Sequence, residues 1–259
     1  MKKLITYLIY TYEYLKHGDF RSILAGLSYL GNKTSTSSDR LIRTSIGSFY
    51  CRRNTNDFQF ANYRYEWGVK SFVLKILPEF DVFIDAGACI GDYTILIAKK
   101  GIKCISFEPL RNNYEAFLKN LSLNTFKGEV RTFNYGLGER NESQTFVYDP
   151  VNTGASHIRR NSSEEGSPVE LRTLDSLVPD LEIKRTDRIL IKLDVEGMEA
   201  QAVKGAANLI THHENLTLIL EDKFSGPEAI KAYLNEYARF DYGRVDEYNF
   251  YARKTGNLN

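Results

Sequence analysis

From residue 80 onward, short apolar runs alternate with helical stripes, and that alternation leaves few folds open. Val82-Phe83-Ile84, Cys104 to Phe107, Val130 to Tyr135, Ile189 to Leu193 and Leu216 to Leu220 read as strands. Between them, Tyr93 to Lys100 and the stripe Tyr114, Phe117, Leu118, Leu121 read as helices. So do the stripe Met198, Ala202, Ala206, Leu209, Ile210 and the stripe Ile230, Tyr233, Leu234, Tyr237. Strands apolar on both faces and joined by helices make a parallel sheet covered on both sides. Two β-like runs, near 240–247 and 249–254, close the chain with no helix between them. A pair joined so tightly must be antiparallel. The expectation is therefore an α/β fold: a doubly wound, mostly parallel sheet with an antiparallel strand near the C-terminus. Residues 143–174 add two further β-like runs around a polar loop.

The first 78 residues read as an attachment, and residues 79–259 as the main domain, a size that one core can hold. Ile5, Leu8, Ile9, Tyr12 and Leu15 fall on one helical stripe. Such a stripe serves a membrane surface, a partner or the protein's own core. The core is the expectation here, because the polar face is not markedly basic. Leu41 to Phe60 is β-like, broken by Gly47 and by Asn54-Thr55-Asn56-Asp57, which suggests a hairpin. Val69, Phe72, Val73, Ile76 and Leu77 form a helix closed by Pro78.

Composition narrows the partners. Thirty-four Lys and Arg against 33 Asp and Glu leave a net charge of +1, without the basic excess of a general nucleic-acid binder. Cys51, Cys89 and Cys104 lack the spacing of a zinc site or a disulfide framework, which favours a reducing compartment. The apolar start is interrupted by Thr6, Tyr7, Thr11 and Glu13, and no window has the length of a transmembrane segment. A cytoplasmic location is expected. Oligomeric state is not legible.

The loop after the first strand, Asp85-Ala86-Gly87-Ala88-Cys89-Ile90-Gly91, is the main chemical signal. Glycines let the backbone turn sharply and let a ligand approach it. The Gly-x-Gly-x-x-Gly and phosphate-loop patterns are missing, which disfavours an NAD-type oxidoreductase. Asp85 stands where a pyrophosphate would go, and its charge suits a cation such as the ammonium and sulfonium of S-adenosylmethionine. Taken alone, the loop could also be an ordinary tight turn. The second strand ends in Glu108-Pro109, 23 residues later, where a Rossmann-type site grips ribose hydroxyls. Two hydrogen bonds to a charged carboxylate would contribute roughly 3 kcal/mol, about a hundredfold in affinity.

These blocks resemble the FkbM-type methyltransferases. IDAGACIGDYT, SFEPLRNNYEAFLKNLSLN, NYGLGERNES, NTGAS, VELRTLDSL and LIKLDVEGMEAQAVKGA follow in the family's order, preceded by CRRNTNDFQF. Together they span residues 41 to 222. The resemblance implies the class I methyltransferase fold, S-adenosylmethionine as cofactor, and O-methylation of a sugar, glycan or glycosylated metabolite. It implies that Asp85, Gly87, Ala88, Cys89 and Gly91 line the methionine half and that Glu108 holds the ribose. Asn134, Tyr135, Gly136 and Leu137 would border the adenine. Cys89 departs from the family pattern, which has Asn. A thiol at a helix start can have a lowered pKa, though a small residue in a tight turn is the simpler reading.

Ligands of open α/β sheets sit beyond the strand C-termini where strand order reverses. The fourth strand delivers Asp194 there, with Glu196 just past it, and the fifth delivers Glu221 and Asp222. Asp194 and Glu221 suit a general base or ligation of a divalent cation, with the metal-free role preferred. Asp194 could otherwise cap the next helix. His157, in the polar loop Asp149 to Pro168, is a second candidate base. A nucleoside-binding protein without catalysis remains the alternative from another class.

Overall fold

A computed structural model of the chain describes residues 2–32, 35–149, 151–154, 157–158 and 166–258. It opens with helices α1 (Lys2–Lys16) and α2 (Phe20–Asn32) and a hairpin of β1 (Arg40–Arg43) and β2 (Ser48–Cys51). Short α3 (Asp57–Phe60) and α4 (Trp67–Ile76) lead into β3 (Val82–Ala86) and α5 (Asp92–Ala98). Next come β4 (Lys103–Phe107), α6 (Arg111–Ser122) and β5 (Val130–Phe133). A small sheet of β6 (Gly136–Leu137), β7 (Glu142–Val147), β8 (His157–Ile158) and β9 (Ser167–Arg172) follows, then α7 (Leu174–Leu177). The chain ends with β10 (Ile189–Leu193), α8 (Glu199–Lys204), α9 (Ala207–His212), β11 (Leu216–Glu221), α10 (Pro227–Tyr237), β12 (Ala238–Arg244) and β13 (Asn249–Asn257).

The main sheet has seven strands in the order β12-β13-β11-β10-β3-β4-β5. Its β5, β4, β3, β10 and β11 pair in parallel, while β13 runs antiparallel to both β11 and β12. Period-two alternation builds the core. Val82, Ile84, Ile105, Ile191 and Leu218 face α8, α9 and α10, whereas Phe83, Cys104, Leu190 and Ile219 face α4 and α5. Burial on both faces explains why these strands are continuous apolar runs.

The N-terminal segment shares a core with the sheet's helices. Tyr14, Ala25, Phe49 and Phe58 pack with Ile90, Ile95 and Ala116. Three local expectations are corrected. The reversal of the hairpin falls at residues 44–47, and 57–60 is a helical turn that buries both Phe58 and Phe60. The stripe at 198–210 is split into α8 and α9 at Gly205, where a Cβ would lie 1.9 Å from the carbonyl oxygen of Gly138. The α1 stripe does not pack inward: Leu8 and Tyr12 are 62% and 64% exposed, and Tyr14 and Glu13 are the buried side chains. Period alone cannot say which side of an amphipathic helix meets the core when the inward side carries Tyr and Glu.

Candidate active site

Strand order reverses between β3 and β10, and a cleft open to solvent lies over their C-terminal ends. The loop after β3 turns through three left-handed residues, Gly87 (φ 86°), Cys89 (φ 48°) and Gly91 (φ 86°). A Cβ on Gly87 would stand 1.9 Å from the carbonyl oxygen of Asp194, so only glycine lets the two strand ends meet. Asn tolerates the left-handed region better than most residues, which accounts for the family's preference at the position of Cys89. The Cys89 thiol is pushed well up by burial and then by Glu108, opposite to an activated nucleophile.

Two carboxyls brace this end. Asp85 is buried, and its Oδ2 accepts a hydrogen bond of 2.7 Å from the Thr94 hydroxyl. Its Oδ1 is buried without a hydrogen-bond partner. Burial pushes Asp85 up to about 6, against the opposing pull of Lys192. Glu108 accepts from the Cys89 N–H at 2.8 Å and from the Leu110 N–H at 2.9 Å, and burial raises it to about 7. Ala88, Gly136 and Leu137 line the cleft with Gly87, Cys89, Asp85 and Glu108. Asn134 instead donates to the carbonyls of Glu108 and Pro109, and Tyr135 stacks on Phe133; neither lines the cleft.

At the other end Asp194, Glu196 and Glu221 come together. Asp194 does not cap α8. Its Oδ2 accepts from Lys192 Nζ at 2.7 Å, and α8 has no side-chain cap; Glu199 accepts from the N–H groups of Val195 and Gly197 in the loop before it. Glu221 has a buried oxygen, Oε2, without a hydrogen-bond partner. Burial, then Asp194, pushes Glu221 up to about 8; burial, Asp194 and Glu221 do the same for Glu196. Asp222 pairs with Arg244 and does not line the cleft. The side chain of His157 lies outside the described residues, so the structure does not place it.

Sequence reasoning missed Lys192 and the contribution of residues 60–66. Burial alone would lower the Lys192 pKa, but Asp194, Glu66 and Asp85 outweigh it and hold the ammonium charged. Glu66, raised by burial, accepts from the Tyr93 hydroxyl at 3.1 Å. Phe60, Tyr65 and Glu66 wall the cleft from the N-terminal segment. A lysine in the middle of the apolar run of β10, two residues before Asp194, was the available signal. In all, seven carboxyl groups (Glu66, Asp85, Asp92, Glu108, Asp194, Glu196, Glu221) and two ammonium groups (Lys192, Lys223) line the cleft. Among the described residues, no three His, Cys, Asp or Glu are disposed to hold a metal ion.

The sheet order, with an antiparallel strand inserted beside β11, and the glycine turn at the switch point define a class I methyltransferase fold. The chain belongs to the FkbM methyltransferase family, whose methyltransferase FkbM domain matches residues 85–248. It is similar to the hexuronic acid methyltransferase AglP of Haloferax volcanii, 26% identical over 57% of this chain and 59% of that protein. It is also similar to methyltransferase sdnD of Sordaria araneosa, at 27% identity over 50% of this chain and 61% of that one. The chain thus spans about three fifths of the length of these curated relatives. Among solved structures, magnesium protoporphyrin IX methyltransferase from Synechocystis PCC 6803 with bound SAM superposes with a TM-score of 0.41 at 12% identity. That match covers 73% of this chain and 79% of the other. The likeness is loose, and the strand order carries the fold assignment.

Proposed function

We propose that this protein transfers a methyl group from S-adenosylmethionine to a hydroxyl of a neutral sugar, glycan or glycosylated metabolite. The observation that carries the reading is the pairing of Glu221, raised to about 8, with Asp194 at adjoining strand ends beside the glycine loop. The cofactor fits the residues present. Asp85 offers a buried oxygen without a hydrogen-bond partner, which suits the ammonium of the cofactor. Gly87, Ala88 and Cys89 would hold its methionine half, Glu108 its ribose, and Gly136 and Leu137 its adenine, whereas Gly91 does not line the cleft and packs closely on the Phe117 ring. When bound, it supplies a methyl group made electrophilic by the sulfonium.

The chain's residues do the rest. Glu221 accepts the hydroxyl proton as the oxygen takes the methyl group, a role whose ideal pKa lies near the operating pH. Asp194, which Lys192 contacts at 2.7 Å, raises the proton affinity of Glu221 after burial does. The reading assigns Asp194 and Glu221 as bases and not as metal ligands, so EDTA should leave activity unchanged. His157 remains the next base to test. Residues 1–78 form the attachment that walls the acceptor side, and residues 79–259 the cofactor-binding domain, in the cytoplasm.

With a net charge of +1, the chain lacks the basic excess that recognition of a polyanion such as a nucleic acid would use. The test is mass spectrometry of neutral glycosides, uronic acids, RNA and lysine peptides incubated with enzyme and cofactor. A one-methyl gain confined to neutral glycosides is expected. Preferred transfer to RNA or lysine contradicts the reading.

A further inference from the structure

The N-terminal helices expose what the rest of the chain hides. Eight of the fourteen large apolar side chains exposed among the described residues lie on α1 and α2. On α1, Leu8, Tyr12 and Leu15 recur at i, i+4 and i+7; on α2, Phe20, Leu24 and Leu27 do the same. The inward sides hold Glu13 and Tyr14, and Ser22 and Ala25. Each helix is therefore apolar on the side that no described residue of this chain covers. A continuous apolar patch of this kind marks an interaction surface.

Charge indicates the occupant. Residues 1–43 hold seven Lys and Arg against Glu13, Asp19 and Asp39, a net charge of +4 in a chain whose total is +1, so the remainder is −3. Two of those three acids are withdrawn from the exposed side. Glu13 is buried and accepts from the Ser45 N–H, and Asp19 pairs with Arg40 at 2.8 Å. Lys16 and Arg21 stay exposed on either side of the turn between the helices. An apolar stripe flanked by cations matches a bilayer carrying anionic headgroups. A second copy of the chain would bring two such basic segments together, which disfavours self-association. At 15 residues, α1 is too short to span, and no described helix is long and apolar enough to cross a membrane.

We infer that α1 and α2 lie in the interface of an anionic membrane, with Leu8, Tyr12, Leu15, Phe20, Leu24 and Leu27 in the headgroup–acyl boundary. Tyr10 of α1 packs on Tyr65, a wall of the cleft, so the membrane-facing element adjoins the active site directly. The inference does not rest on the proposed methyl acceptor, because its test reads binding and not turnover.

Flotation of the full chain with vesicles of phosphatidylcholine, alone or mixed with phosphatidylglycerol, is the experiment. The bound fraction should be at least about tenfold higher on the mixed vesicles and should fall with salt. Leu24→Glu with Leu27→Glu should abolish it at an unchanged thermal midpoint, since both side chains are solvent-exposed, and Arg21→Glu should weaken it. Equal recovery on both vesicle types, or undiminished binding by the double variant, overturns the inference. So does a dimer in solution that the same substitutions dissociate, since a second copy would then be what covers this surface.

Discussion

At the β3–β4 end of the cleft the carboxyls are tied to their surroundings; at the β10–β11 end they crowd one another. Asp85 is held by Thr94, and Glu108 by the N–H groups of Cys89 and Leu110, so that end is shaped before any ligand arrives. Asp194 instead adds to the effect of burial on both Glu196 and Glu221, Glu221 raises Glu196 further, and Glu221 keeps a buried oxygen unpaired. The difference teaches a division of labour. In the proposed function, the braced carboxyls would seat the cofactor and the crowded ones would take the proton of an acceptor hydroxyl.

The largest expected effect falls at the crowded end. Glu221→Gln should lower kcat by about 10²–10⁴-fold while cofactor affinity changes little, read by single-turnover transfer and by calorimetry. Asp194→Asn should lose at least about a hundredfold, and normal turnover by both variants would leave the crowding without a catalytic role. Wild-type kcat should rise with pH towards about 8, the value to which Glu221 is pushed, and Glu221→Gln should flatten that limb.

At the braced end, Gly87→Ala should cost at least about 2–3 kcal/mol in urea unfolding, from a left-handed backbone and the clash with the Asp194 carbonyl. A cost near zero would mean that β3 and β10 do not approach so closely. Glu108→Gln keeps one acceptor oxygen, and cofactor affinity should fall about tenfold as a charge-assisted bond is lost. Stability against pH reads both ends together. Asp85, Glu108, Glu196 and Glu221 all titrate above their ordinary range, so the folded state binds more protons than the unfolded one. The stability these four groups contribute is then fully present near pH 4 and is lost as pH rises to about 8, so the thermal midpoint should fall over that window. A midpoint that climbs steadily over that window would count against the burial of these groups.

The braced end was legible because it is local. A buried strand, a glycine turn and an acidic residue at the next strand end lie within one stretch of sequence, and Asp85, Gly87 and Glu108 stand where that stretch requires. Asp194 and Glu221 were legible for the same reason, as the last residues of apolar runs. The rest depended on distant contacts. Lys192 reads as one polar residue in a strand until the fold surrounds it with Glu66, Asp85 and Asp194. Asn134 reads as part of an adenine border until its amide is seen holding the carbonyls of Glu108 and Pro109. Phe58 and Phe60 alternate like a strand, yet one helical turn buries both. The α1 stripe has the right period and the opposite orientation, since periodicity reports amphipathicity and not what is met.

The most direct test of cofactor binding in this cleft is the thermal midpoint of the purified chain with S-adenosylmethionine, its demethylated product, or NAD. At a hundredfold excess over the dissociation constant, a bound ligand adds about 2.7 kcal/mol of stability. S-adenosylmethionine and its product should each raise the midpoint, NAD should not, and Asp85→Ala or Glu108→Ala should remove most of the shift. A shift with NAD and none with S-adenosylmethionine would contradict the assignment.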